Sequence, residues 1–556
     1  MTRIYAVLTA VLRVHSERIM LIVLGALTAS LLILAYITLV MPNASYVEMY
    51  LNDVMGLTDA AYRTFRGQVP SIDFQSLYGA AIYYPAALGF YLDFNAGGVL
   101  GFGHFVTAVP LLIMVALASY RRFPILHSVI LILFLFLLIV VPMRLGGKFS
   151  ELTYALYYTR HGSAALTIAL LFYLEPRTIR RSDLFLDSIV LSLLLLYVFY
   201  TKITFAAVAL AFVAVNSVTS KYKMRLSVIS LSIFVSVVAA IPIFTEYNSA
   251  YLNDIFGVVS RNPVLRSGLY GIVVITTQHQ WILFLCFAAL TAVYLTGRWN
   301  FFDLAFVTGC IIASIIILDQ SGGTGGGVPG LVVVFLICGE LARRTECRIE
   351  EGATPSSWPR NVVSISILCL LLAFASEPMV RGGLALRDHF NKTTGEQSVA
   401  AMNLSGIFVR APPTLDVHEM LGHDDATIAL FNQRRGLEEL EAWQYLPLIA
   451  EGVKLLESVP HHNYSVITFE HTNPFSVLLR MRPTKYGYPL FWAENALSRD
   501  LPAPERYFSD ADYVMVPETP YSRRQLDKLM EVYGSYLEDN FYELKRSSHW
   551  RLYARR

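Results

Sequence analysis

The sequence predicts a polytopic α-helical membrane protein, with about 11 spans over residues 1–378 and a soluble extracytoplasmic α/β domain over 379–556. Three observations carry that expectation. Long apolar runs follow one another from Ile19 to about Ser376. Nearly all Lys and Arg of that half fall in the gaps between runs, on alternate sides. The last 175 or so residues then turn polar. Of the 556 residues, 55% are hydrophobic and the mean hydropathy is +0.50, where a soluble protein of this size lies near 45–50% apolar. The formal net charge of +2 offers no basic surplus and implies no nucleic-acid partner.

A helix needs roughly 20 apolar residues to cross a bilayer. Candidate spans lie at about 19–41, 97–119, 124–142, 160–175, 184–201, 203–219, 226–244, 270–296, 301–318, 328–343 and 361–378. Met1 to Arg18 carries Arg3, Arg13 and Arg18, and the apolar run behind it is too long for the core of a cleaved signal, so it reads as an uncleaved first span. With that end in the cytoplasm, the cytoplasmic gaps hold Arg121-Arg122, Arg177 to Arg181, Lys221 to Arg225, Arg298, and Arg343 to Arg360. Every such gap is basic, as the positive-inside rule requires, and the C-terminal domain then lies outside. Leu77 to Phe94 is apolar and aromatic, but counting it as a full span would invert every later loop. It reads as a juxtamembrane or re-entrant helix, with an ordinary twelfth span as the alternative.

The outer loops are Pro42 to about Tyr78, about Met143 to Thr159, about Phe244 to Ser267, and Asp319 to Pro329. Loops of this length inside a compact fold are usually functional. The first holds Asp53, Asp59 and Asp73. Its stretch from Asp59 predicts a short amphipathic helix, about Asp59 to Phe65, with Asp59 near the start, then a turn and an extended segment to Tyr78. A carboxylate at a membrane surface, walled by aromatic rings such as Tyr62 and Tyr78, suits a general base. The alternative is a helix N-terminal acid favoured by the macrodipole.

A long first outer loop with an Asp-x-x-Tyr helix, then Gly, Pro, Asp-Phe and Tyr-Gly before a Tyr/Pro-rich apolar segment, resembles the GT-C superfamily of membrane glycosyltransferases. The nearest types are protein O-mannosyltransferase and lipid A aminoarabinose transferase, and the likeness covers about residues 1–378. The resemblance implies a core of 11 to 13 spans, an outward-facing site in a bacterial inner membrane, a polyprenyl-phosphate sugar donor, and a lipid, glycan or protein acceptor of the cell envelope. It also implies a first-loop carboxylate as base, and Asp59 is the position that matches. Many members carry a second carboxylate before the following outer span. Here that place reads Tyr157-Tyr-Thr-Arg-His161, with Glu151 upstream, a departure that puts a second carboxylate and any metal site in doubt. No cofactor is expected, and a divalent metal finds no support in the sequence.

Such a reaction needs cations for the phosphate of donor and leaving group. Arg144, Lys148, Arg160 and Lys202 all fall at outer span ends. Lys202 interrupts an otherwise apolar run, and a cation in that position is costly and functional by default, with snorkelling to the interface as the alternative. Arg160 and His161 read as phosphate ligands or interfacial anchors. Tyr62, Asp73, Tyr78, Asp319 and Gln320 are the remaining candidates for substrate contacts. The glycine run Gly322 to Gly327 lacks the Gly-Lys-Ser/Thr end of a phosphate loop and reads as a turn. His418-Glu-Met-Leu-Gly-His423 has one residue too many for a zinc-protease helix. The cysteines (286, 310, 338, 347 and 369) form no metal or disulfide pattern.

Beyond about Val380 the pattern alternates. Leu437 to Glu457 and Ser522 to Asn540 predict helices; Tyr464 to Phe469, Ala511 to Pro517 and Trp550 to Tyr553 predict strands. The rival to a transferase is a transporter or flippase for lipid-linked saccharides.

Overall fold

The computed structural model describes residues 2–76, 78–143, 151–174, 176, 181–259, 379–394, 401–410, 440–460, 463–491 and 501–556, with isolated positions at 309, 312–313 and 316–317. The expected spans at 270–296, 328–343 and 361–378 lie outside the described residues, as does nearly all of 301–318. So do Arg144, Lys148, Asp319, Gln320, the glycine run at 322–327, and His418 and His423.

Helix α1 runs Thr2–Ala35 and ends in a π-turn, Tyr36–Val40. The bundle continues with α4 (Gly98–Ser119), α5 (Ile125–Val140), α6 (Tyr157–Leu171), α7 (Arg181–Phe199), α8 (Ile203–Ser217) and α9 (Lys221–Phe244). Among the described residues four stretches are long and apolar enough to cross a bilayer: Arg18–Val40, Gly98–Ser119, Ser182–Phe199 and Lys221–Phe244. The chain is therefore an integral membrane protein, although the expected total of about 11 spans is not reached among the described residues. At 1.5 Å per residue α5 and α8 are roughly 23 Å long, shorter than a bilayer core. Between α1 and α4 lie α2 (Leu51–Phe65) and α3 (Tyr83–Tyr91). The nine residues of α3 reach about 14 Å, too short to cross, so the described residues 78–94 hold no helix long enough to span a bilayer core.

The two ends of the bundle differ. At one, Arg122 pairs with Asp187 at 2.8 Å, Arg121 approaches Asp183 at 3.3 Å, and the Tyr222 hydroxyl donates to Asp187 at 2.7 Å. This buried cluster ties α4, α7 and α9 where the basic gaps fall. At the other end lie the first loop, the start of α6, the α7–α8 joint and α10 (Tyr247–Val259). The charge pattern predicts that this end is external. In a cysteine-less background, a cysteine at exposed Asp93 is expected to react with an impermeant maleimide in intact cells. One at Lys221 is expected to react only after permeabilisation; labelling at 221 in intact cells would invert the topology.

A helix over 379–394 (α11) packs on the membrane half: Gly382 abuts Leu137 and Val141, and Lys392 pairs with Glu48 at 2.7 Å. This segment, the first beyond the division expected at 378/379, thus packs on α5 and the first loop. Strands β2 (Ala401–Leu404) and β3 (Ile407–Arg410) form a hairpin, and β3 pairs in parallel with β1 (Ser45–Tyr46) of the first loop.

The C-terminal sheet contains β4 (Ser465–Thr468), β5 (Arg482–Pro483), β6 (Tyr513–Pro517), β7 (Phe541–Arg546) and β8 (Trp550–Arg555), in the order β5-β4-β6-β8-β7. The β5-β4-β6 pairs are parallel; β8 and β7 run antiparallel. Successive strand residues face opposite sides. Val466 and Met515 pack with α12 (Ala442–Glu457), while Ile467, Val514 and Val516 pack with α13 (Arg523–Asn540). The α12 layer is continuous with Val47, Leu51, Val54 and Leu57 of the first loop. The soluble domain and the first loop thus share one core.

Candidate active site

Helix α2 positions the acidic residues. It begins at Leu51, after Tyr50 in a left-handed conformation (φ 56°). The expected start near Asp59 is corrected: Leu51, Val54, Met55 and Leu57 already bury an apolar face, so the helix forms one turn and more upstream. Asp53 occupies the first turn, where an acid is favoured by the macrodipole, and Asp59 lies in the interior.

Asp59 is fully buried, and its Oδ2 accepts from Arg63 Nε at 2.7 Å, one helical turn on. Burial raises the Asp59 carboxyl above its ordinary value, with the Arg63 charge pulling back. Arg63 in turn donates to the Thr484 carbonyl, and Gln68 to the Pro483 carbonyl at 2.9 Å. Asp73, expected to shape the pocket, pairs with Lys485 at 2.9 Å, and its carbonyl accepts from Tyr486 N–H at 2.6 Å. Tyr62 sits among Phe65 and Phe90, ring centroids 5.8 and 5.3 Å away. Asp59, Tyr62 and Asp73 therefore hold the first loop against itself and the soluble domain. Asp59, the base expected from sequence, has no exposed surface here, and its Oδ2 is engaged by the buried Arg63 guanidinium.

A different set gathers around the first turns of α2. Asp53 is 17% exposed at its side chain, and its Oδ1 stands 4.0 Å from His471 Nε2. Gly56 and Leu57, three and four residues on and so on the same face, line a small pocket with Gln75, Ser76, Tyr78, Tyr83 and the segment Tyr488 to Leu490. A Cβ on Gly56 would meet Leu490 Cδ2 at 2.4 Å, so glycine is what lets the soluble domain approach α2 here. Tyr78 donates to the Tyr158 hydroxyl at 2.5 Å, their rings 3.9 Å apart. Burial pushes the Tyr78 phenol up, the Tyr158 bond pulls it back, and the Asp53 charge adds to the rise. Lys202 Nζ lies 5.8 Å from the Tyr158 ring centroid.

The α7–α8 joint brings Lys202 to that place. Gly79 N–H donates to the Thr201 carbonyl at 3.1 Å and Ala81 N–H to the Tyr200 carbonyl at 2.9 Å. A Cβ on Gly79 would fall 2.0 Å from Tyr200 O, so only glycine allows this contact. Helix α10 braces the same loop. The Asp254 carboxylate accepts from Ser76 N–H at 3.1 Å, and burial pushes it up to about 6.

Arg160 and His161 lie one turn further along α6. Arg160 Nη2 is 3.2 Å from His104 Nε2, and among the described residues its Nε and Nη1 are buried without a hydrogen-bond partner. His161 Nε2 is 3.1 Å from the Ile139 carbonyl. Of the residues expected from sequence, Tyr78 and Lys202 each meet Tyr158, Arg160 and His161 form a neighbouring cluster, and Asp59, Tyr62 and Asp73 stand apart. Asp53 and His471 are the additions. Among the described residues no group of three or more His, Cys, Asp or Glu side chains is placed to hold a metal ion.

No family model matches the chain, and no curated protein matches it. Solved structures do. One is ArnT from Cupriavidus metallidurans bound to undecaprenyl phosphate, with 13% identity, 95% of this chain and 97% of that chain covered, and a TM-score of 0.43. The same protein in the apo state matches with 12% identity, the same coverage and a TM-score of 0.43. The Archaeoglobus fulgidus oligosaccharyltransferase in complex with Zn and sulfate matches with 12% identity over 95% of this chain and 73% of that one, at a TM-score of 0.39.

Proposed function

We propose that this chain is an integral-membrane glycosyltransferase, moving a sugar from a polyprenyl-phosphate donor to an envelope lipid, glycan or protein on the external face. The observation that carries the reading is a partly exposed carboxylate, Asp53, whose charge reaches the hydrogen-bonded Tyr78–Tyr158 pair, together with a membrane-border cation, Lys202, against the Tyr158 ring. The two charges suit the two ends of one displacement. The Asp53 carboxylate takes the proton of the acceptor hydroxyl. The acceptor oxygen bonds to the anomeric carbon as the carbon–oxygen bond to phosphate breaks. The lipid phosphate leaves with that electron pair beside Lys202, which balances its charge. A single displacement inverts the anomeric carbon. The carboxylate role stays in the first loop, as the GT-C resemblance implies, but passes from Asp59 to Asp53.

Lys202 gives the test. Lys202→Met keeps the apolar stem and removes the ammonium. A charge-assisted contact contributes about 1.5–3 kcal/mol, so the KM for a polyprenyl-phosphate sugar is expected to rise about tenfold or more, with unchanged solubility and thermal midpoint in detergent. Wild-type donor affinity in Lys202→Met would make the residue an interfacial anchor and remove the phosphate-binding half of the proposal.

A further inference from the structure

We propose that His471 of the soluble domain is a positioning residue for Asp53, so that the site is complete only with that domain docked on the first loop. The proposal rests on the glycosyltransferase reading and deepens it. His471 is fully buried just past the carboxyl end of β4, the edge of a parallel sheet where ligand crevices form. Its backbone is held on both sides: its N–H donates to Glu470 Oε1 at 2.9 Å, and its carbonyl accepts from Phe491 N–H at 2.8 Å. Glu470 Oε2 accepts from Tyr521 N–H at 2.9 Å. The Tyr521 ring leans on the imidazole, centroids 5.6 Å apart. These contacts fix where the ring points, and Nε2 points at Asp53.

The partner is fixed as firmly. The Gly56–Leu490 approach, Arg63 on the Thr484 carbonyl, Gln68 on the Pro483 carbonyl and the Asp73–Lys485 pair clamp residues 483–490 onto the first loop. The same clamp sets the separation of His471 and Asp53. A carboxylate has two equivalent oxygens, and a general base works when one of them is aimed. With its proton on Nε2, His471 favours Oδ1 as the held oxygen and leaves Oδ2 for the acceptor hydroxyl. The separation of 4.0 Å exceeds a hydrogen bond, as is common in unliganded sites whose contacts tighten with substrate. Among the described residues Glu470 meets the His471 backbone N–H and Tyr521 leans on the ring, while Tyr78 and Tyr158 feel the Asp53 charge.

The test is a double-mutant cycle on the purified full-length chain in nanodiscs. His471→Leu is expected to lower kcat about 10-fold or more, with the KM for donor and the binding of undecaprenyl phosphate unchanged. His471→Gln, which retains a donor, is expected to recover part of the loss. In an Asp53→Asn background, His471→Leu is expected to cost nothing further, because the residue acts through Asp53. An equal loss in both backgrounds, or a changed affinity for undecaprenyl phosphate, would make His471 a structural residue and overturn the proposal while leaving the function standing. Absence of transfer by the wild-type chain that still binds undecaprenyl phosphate would remove the function, and this proposal with it.

Discussion

Asp53→Asn is expected to lower sugar transfer about 10²–10⁴-fold, the usual span for loss of a general base, and to leave the chain folded. Asn has the same shape, and the neighbouring Asn52 amide still finds an oxygen at that position. Asp53 makes no buried ion pair with Lys or Arg among the described residues, so nothing is left stranded by neutralising it. The measurement is turnover of a lipid-phosphate sugar by purified protein, alongside the thermal midpoint. The KM for donor is expected to change little, because the base meets the acceptor and not the phosphate. Wild-type turnover in Asp53→Asn would remove the base assignment.

Asp59→Asn is expected to act on the fold instead. The substitution leaves Arg63 charged and buried with a neutral neighbour, and breaking a buried ion pair from one side costs about 3–5 kcal/mol. Arg63 also carries the contact to the Thr484 carbonyl, so the docking of the soluble domain on α2 weakens with it. The expected results are a lower yield in detergent, a lower unfolding midpoint and faster proteolysis between the two halves. Asp59→Asn combined with Arg63→Gln is expected to recover part of the midpoint, because the buried charge is then gone from both sides. A stable but inactive Asp59→Asn would reverse the conclusion and return the base to Asp59.

The two aspartates show how far the sequence alone could be read. The Asp59–Arg63 spacing of four residues is the mark of a pair on one helix face, so the ion pair was legible. Two things hid it: Asp59 precedes Ala-Ala-Tyr and so mimics a helix start, and the true start carries no Ser or Thr cap. Leu51, Val54, Met55 and Leu57 hold the helical spacing that places the start upstream. The apolar helices α4, α5, α7, α8 and α9 were legible from hydropathy and the basic gaps, because the bilayer dictates both. In the soluble domain, β4, β6, β8, α12 and α13 followed from local periodicity. Strand β7 did not, because Phe541–Arg546 is an exposed edge with polar residues on both faces. The approach of His471 to Asp53, the pairing of β1 with β3, and the packing of 379–394 on α5 are contacts between distant segments, set by docking geometry that no local pattern encodes.

The most direct test of the central claim is the fate of the sugar–phosphate bond. The purified full-length chain in nanodiscs, given a polyprenyl-phosphate sugar labelled in the sugar and an envelope lipid extract, can be followed by mass spectrometry. The account predicts label in a new glycosidic linkage on an acceptor, one free polyprenyl phosphate per transfer, and loss of both in Asp53→Asn. Intact donor recovered from the opposite leaflet, with no polyprenyl phosphate released, would show that the chain moves lipid-linked saccharide without cleaving it, and would contradict the account.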